Sequence, residues 1–172
     1  MAQKVYPSDG DMIAEPNPYS EEASKAWIDR NSDPKTHVRS GRWTPEKGAE
    51  GPAIPTHYTI AVHGEACGGI GLVFGQDVYF RTAELGYWLS QEHWGKGVMS
   101  RVVPAFLEWS WKTFGVLVRL NSGAYDFNSG SQRVLDKAGF VYEGRRADIA
   151  YKDGRIVGEV LYGALRPGGP EM

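Results

Sequence analysis

The run Ala83-Glu84-Leu85-Gly86-Tyr87-Trp88-Leu89, followed by His93-Trp94-Gly95-Lys96-Gly97-Val98-Met99, constrains this chain more than any other stretch. Its first half reads as a strand, and a helical pattern begins directly after its second half. Two glycines flanking one residue let the backbone curl tightly with no Cβ in the way, so several free N–H groups at the helix start face outward together. Such a terminus is an anion cradle and suits phosphate oxygens. Strand, cradle and helix in direct succession call for a sheet with helices against it.

Several folds use this device, and the residues discriminate among them. A nucleoside-triphosphate loop would need glycine at position 90 and Ser or Thr after the lysine, where Ser90 and Gly97 stand. A dinucleotide fingerprint would need glycine at position 100, which is Ser100. The remaining pattern, Trp94-Gly95-Lys96-Gly97-Val98-Met99, resembles the Gln/Arg-x-x-Gly-x-Gly/Ala pyrophosphate loop of the Gcn5-related N-acetyltransferase (GNAT) superfamily. It departs from that loop at Trp94, where Gln or Arg is usual, and at Met99, where a small residue is usual. A second block, Asn128-Ser129-Gly130-Ser131-Gln132-Arg133-Val134-Leu135-Asp136-Lys137-Ala138-Gly139-Phe140, is similar to the N-x-x-S-x-x-V-L-x-K-x-G-F signature of the RimJ/RimL-like branch. With Glu143-Gly144, Lys152-Asp153-Gly154 and Leu161-Tyr162-Gly163-Ala164-Leu165, the resemblance spans about residues 57–165.

That resemblance implies an α/β (α+β) fold: a central mixed, mostly antiparallel twisted sheet flanked by helices, with a V-shaped splay between two strands. It implies acetyl-coenzyme A as cosubstrate, no metal, and a primary amine as acceptor, either a small molecule or a protein's α-amino group. Residues Trp94, Gly95, Lys96, Gly97, Val98, Met99 and Ser100 would hold the pyrophosphate. The backbone of Trp88 and Leu89 would bind the pantetheine arm like an added strand, and Asn128 would contact the coenzyme. Glu84 follows Ala83 in the Ala-Glu-aliphatic step that carries the general base in the histone-acetylating branch. Its other reading is a solvated or ion-paired strand carboxylate. Many superfamily members assist the departing thiolate with a tyrosine at the position of Leu135, which has no proton to donate. The branch with this signature implies Ser131 instead, although a helix-start serine is read from the residues equally well.

The chemistry gives these residues their tasks. An ammonium has no lone pair, and an alkylamine is almost wholly protonated near neutral pH, so a positioned base helps. A carboxylate at Glu84 supplies one. Glu159 lies on the last expected strand and could orient the amine, but a surface charge is the plainer reading. His93 stands near Gly95, while His37 and His63 sit in loop or turn contexts expected to be exposed. With His57, they make no metal spacing.

Composition sets the outer bounds. A chain of 172 residues with 41% hydrophobic content is most simply one domain, residues 1–172. A formal charge of −2 predicts neither nucleic acid nor membrane as a partner, and a homodimer stays open. No run reaches membrane-span length and no hydrophobic signal segment follows Met1, so a cytoplasmic location is expected. Cys67, the single cysteine, excludes an internal disulfide and lies in an apolar run as a buried packing thiol.

Along the chain, Ser20 is a candidate cap for a first helix with Trp27 and Ile28 on an apolar side. Residues 32–56 carry Pro34, Pro45, Pro52 and Pro55 and read as a long loop, so 1–56 form an atypical N-terminal segment. The family's first strand and helix need more residues before 17–20 than the chain offers, so both are expected to be shortened. Those elements often wall the acceptor site, which leaves a degenerate coenzyme A binding module as the alternative function. Residues 58–62 and 69–74 read as a hairpin around His63-Gly64-Glu65, and 85–89 and 116–120 as further strands. The positions from Met99 to Phe114 fall at helical spacing, with a kink expected at Pro104. Residues 129–138 read as a helix ended by Gly139, and 141–165 as two antiparallel strands turned at Asp153-Gly154.

Overall fold

The computed structural model describes residues 21–152 and 154–169. The candidate cap Ser20, the segment 17–20 and Asp153 of the last turn lie outside the described residues. The first helix, α1 (Glu21–Ser32), places Trp27 edge-on against the His57 ring at 5.3 Å, whereas Ile28 stays exposed.

The stretch read as a loop is more ordered than its proline content suggested. It folds into two nested ribbons, β1 (Val38–Arg39) with β4 (Ala53–Ile54) and β2 (Trp43–Thr44) with β3 (Gly48–Ala49), both antiparallel. Two-residue ladders fall below any periodicity a sequence can show. Tertiary packing holds them: Val38, Trp43 and Ile54 lean on the core, and the Arg81 guanidinium lies 4.5 Å from the Trp43 ring.

Six longer strands form one sheet: β5 (His57–Val62), β6 (Glu65–Phe74), β7 (Thr82–Leu89), β8 (Arg119–Tyr125), β9 (Val141–Lys152) and β10 (Arg155–Leu165). The spatial order is β5-β6-β7-β8-β10-β9, antiparallel throughout except between β7 and β8. The sheet is therefore mixed and mostly antiparallel, as expected. β5 and β6 join through His63 and Gly64, whose φ angles of 52° and 85° fit the two-residue turn that matches strand twist. β6 consequently starts at Glu65 and not at 69.

The expected strand at 116–120 is displaced: β8 begins only at Arg119. Val116 and Leu117 are buried apolar residues without a ladder partner in the sheet, while Leu120, Ser122 and Ala124 alternate inward along β8. Hydrophobicity marked burial there, and the polar half of the true strand hid its period.

Two helices cover one face of the sheet. α2 (Val98–Thr113) crosses from β7 to β8 and buries Val98, Met99, Val103, Phe106, Ser110 and Trp111. It continues through Pro104 as one helix. α3 (Ser129–Lys137) follows β8, buries Leu135 completely and ends before Gly139 at φ 87°. Tyr58 meets Phe106 and Trp109 of α2 edge-on, so its strand neighbour His57, with α1 against it, points to the opposite face. Leu72, Leu85, Leu117, Leu120 and Leu135 are almost fully enclosed. Each such side chain is worth about 1.5–3 kcal/mol relative to exposure, which anchors the strands carrying the site. Cys67 is buried as expected, its thiol directed at the Ile60 carbonyl at 3.5 Å, and burial pushes its pKa up.

One irregularity positions everything that follows. β7 and β8 pair at only three rungs, Thr82–Arg119, Ala83–Leu120 and Glu84–Asn121. Both strands then run on, each paired on its outer side, β7 to β6 as far as Leu89 and β8 to β10 as far as Tyr125. Their facing edges part beyond Glu84 and form the expected V-shaped splay.

Candidate active site

At one end of the splay the chain makes the anion cradle. Gly95 and Gly97 adopt φ of 70° and 72°, and nothing lies within 4 Å of where a Cβ would stand. Conformation, not crowding, therefore requires glycine here. Gly97 caps α2 in the left-handed region with no side-chain cap bond, so the first-turn N–H groups stay available to an anion.

These groups open onto a cleft of about 590 Å³ that runs from the start of α2 to the start of α3. Trp88, Leu89, Trp94, Gly95, Gly97, Val98, Met99, Ser100, Asn128 and Ser131 all line it. Ten of the sequence-identified positions thus converge. Lys96 and Glu84 are not among the lining residues. Trp94 does more than substitute for Gln or Arg: its indole N–H donates to the Leu89 carbonyl at 2.7 Å and ties the cradle loop to the end of β7. Met99 turns into the core between α2 and the sheet. Asn128 caps α3, its side-chain oxygen accepting from the Ser131 N–H at 3.0 Å.

Sequence reasoning missed three contributors to this cleft, Arg133, Lys137 and Tyr87. Arg133 and Lys137 stand one helical turn apart on α3 and bring two cations to the wall, where His93, placed near Gly95 by the sequence, adds a ring. Tyr87 is a half-buried phenol on β7. Its oxygen lies 2.7 Å from Ser131 Oγ and 3.3 Å from the Ser131 carbonyl. Burial is the main reason its pKa is pushed up to about 12, so the phenol is neutral at physiological pH. The residues are 44 apart in sequence, a separation that no local pattern spans. Tyr125, the nearest tyrosine upstream of Ser131, stacks on Phe127 at 5.5 Å and is not among the residues lining the cleft.

Glu84 occupies the last shared rung of the splay, with its side chain exposed. The pKa of that carboxyl is raised, first by desolvation among its neighbours and next by the negative charge of Glu159, against a pull from Arg146 and Arg119. A raised carboxyl pKa makes a better base. Ser122 Oγ donates to the Leu85 carbonyl at 3.0 Å just past this rung, closing the crotch of the fork.

The expectation for Glu159 is overturned. It is not a surface charge: 1% exposed, it lies on β10 beside Gly123, where any larger residue would collide with its carboxylate. It survives burial by pairing with Arg146 of β9. His63 is exposed as expected, but His37 is half-buried and lines a small recess of about 280 Å³ beside Trp27 and His57. Burial and nearby Arg30 hold His57 below its ordinary pKa and hence neutral near pH 7. Among the described residues no group of three or more His, Cys, Asp or Glu side chains could hold a metal, and no helix is long and apolar enough to cross a membrane.

The sequence matches the family described as "Acetyltransferase (GNAT) domain" over residues 3–141. The chain belongs to the GNAT acetyltransferase domain family. The match starts well before residue 57, so it takes in the N-terminal quarter that the motifs alone left out. One curated relative of this GNAT chain is "Probable N-acetyltransferase YjcK" of Bacillus subtilis (strain 168), 40% identical over 78 residues, 45% of this chain and 40% of that protein. Among solved structures, ribosomal-protein-S5-alanine acetyltransferase from Vibrio fischeri superposes with a TM-score of 0.56 at 26% identity, covering 63% of this chain and 58% of that one. RimL, a ribosomal L7/L12 alpha-N-protein acetyltransferase in complex with coenzyme A, shares the fold at TM-score 0.58 and 23% identity, with 63% and 60% covered. The chain spans about half the length of the curated relatives it matches.

Proposed function

We propose that this chain is an acetyl-coenzyme A-dependent N-acetyltransferase whose acceptor is a primary amine, with a peptide α-amino group as the first choice. The observation that carries the reading is the fork: pairing between β7 and β8 stops at Glu84, and the cleft beyond it ends at a helix N-terminus with no side-chain cap. The residues fit the coenzyme's parts. The N–H groups at the start of α2 suit a pyrophosphate, Arg133 and Lys137 add positive charge, and the parted β7 edge offers backbone groups to an amide-bearing arm. When bound, acetyl-coenzyme A supplies an acetyl group activated as a thioester.

This chain's own residues then handle protons. Glu84, beside the fork, accepts the proton an amine must lose to attack, and its raised pKa keeps the carboxylate basic enough to hold it. Ser131 lines the cleft, where a leaving thiolate needs a hydrogen-bond donor. The α-amino acceptor rests on two supports. A peptide terminus titrates at about 7.7–8.0 against about 10.4 for a lysine amine, within easier reach of a single carboxylate. The 26%-identical Vibrio fischeri structure is also a ribosomal-protein alanine acetyltransferase. The test is a panel of peptide N-termini and alkylamines incubated with acetyl-coenzyme A, with free thiol as readout. Thiol release that needs an amine supports the reading. Coenzyme binding with no transfer to any amine would identify a binding module instead.

A further inference from the structure

We propose that Tyr87 is a positioning residue for Ser131, donating its phenolic proton to Ser131 Oγ so that the serine's own proton is presented to the cleft. The inference rests on the acetyl-transfer reading above and names a part of that same site. Its geometry is specific. Tyr87 lies just beyond the fork on β7, and its side chain passes beneath α3 to bring Oη within 2.7 Å of Ser131 Oγ. Both residues line the cleft. The Ser131 N–H is already held by the Asn128 side chain, so backbone and hydroxyl of this serine are each fixed by a different neighbour.

The direction of the bond decides what the pair can do. The phenol has one proton and two acceptors in reach, and we assign it to Ser131 Oγ at 2.7 Å in preference to the Ser131 carbonyl at 3.3 Å because the shorter contact is the stronger. A serine oxygen that accepts from Tyr87 keeps its own O–H free to point elsewhere, and the cleft is the space both groups share. A serine that donated to Tyr87 would use its proton inside the pair. Burial keeps the phenol neutral, so it remains a donor at working pH and adds no negative charge beside a departing thiolate. The step balances without a proton leaving either hydroxyl. A bond forms between amine nitrogen and acyl carbon, the carbon–sulfur bond breaks with its electron pair going to sulfur, and the amine proton passes to Glu84. The Ser131 hydrogen bond stabilises the sulfur's charge until solvent protonates it.

Tyr87→Phe removes one oxygen and preserves the ring. The expected result is a loss of about fivefold in kcat, the size of one hydrogen bond, with KM for acetyl-coenzyme A changed less than about twofold. In a Ser131→Ala background the same substitution should cost nothing further, since the phenol acts only through the serine. A second readout needs no acceptor: titration of the thiol of bound coenzyme A, followed by thiolate absorbance. Both single variants should raise that thiol's pKa in the same direction, even if no amine is ever acetylated, so failure of the transfer reading and failure of this proposal remain separable. Additive losses in the double variant, an unchanged thiol titration in Tyr87→Phe, or a collapse of coenzyme affinity in that variant would each overturn it.

Discussion

At the α2 end of the cleft the groups facing the ligand space are main-chain N–H donors, held in place by the positive φ angles of Gly95 and Gly97. At the fork they are side chains, Tyr87 on β7 and Ser131 reached from α3, with Glu84 on the last rung of β7 with β8 beside the cleft but outside its lining. On the proposed reading the first region recognises its ligand by backbone conformation and the second works by proton position. Binding and chemistry should therefore separate under mutation.

The largest expected effect strikes the cradle. Gly97→Glu forces a bulky anion and a disfavoured φ onto the place where phosphate oxygens belong. Coenzyme affinity by calorimetry should fall roughly a hundredfold or more, because charge, strain and bulk act together. Unchanged affinity in a folded Gly97→Glu protein would remove the cradle assignment. Glu84→Gln should do the reverse, lowering turnover by roughly a hundredfold while leaving coenzyme binding intact. Its deficit should shrink as pH rises, where more of the amine is already neutral. Equal turnover near pH 7 would show that the base is elsewhere.

Why one region was legible and the other was not follows from the same contrast. Glycine positions encode backbone conformation directly, and Asn128 three residues before Ser131 encodes a helix cap, so the cradle and the α3 start were readable in local order. The splay entered only through family resemblance, since no residue pattern states where two strands stop pairing. Glu159 was misread because its burial depends on Gly123 of β8 and Arg146 of β9, partners that only the sheet brings near. Tyr87 was read as one letter of a strand, although its hydroxyl belongs to a site 44 residues away. The ribbons of residues 38–54 were lost for the opposite reason: each strand is two residues long.

Ser131→Ala probes the chemical region at lower stakes. A thiol of pKa about 8.5 leaves reasonably well unaided, so turnover should fall only about tenfold and coenzyme affinity should hold. A pH profile refines the same region. Glu84 must be ionised to accept a proton, so its raised pKa places the acid limb of kcat/KM above the ordinary carboxylate range. Glu159→Gln removes a negative charge that raises that pKa, and the acid limb should move to lower pH. A limb that stays in place after Glu159→Gln would uncouple the two carboxyls.

The smallest effects should come from the cations around the cradle, and they sharpen the comparison most. Lys96 sits between the two glycines, yet its side chain is absent from the cleft wall, whereas Lys137 lies on α3 and faces the cleft. If the cradle acts through its backbone, the position in sequence is a poor guide and the position in space a good one. Exposed charge pairs are worth about 0.2–1 kcal/mol, so Lys137→Ala should weaken coenzyme binding by no more than about fivefold. The loss should shrink at high salt, because screening acts on exposed charges and hardly at all on N–H donors fixed at a helix terminus. Lys96→Ala should weaken binding less than Lys137→Ala at every ionic strength. The opposite order would mean that the lysine inside the glycine loop reaches the phosphates, and that the cradle recognises its ligand through a side chain after all.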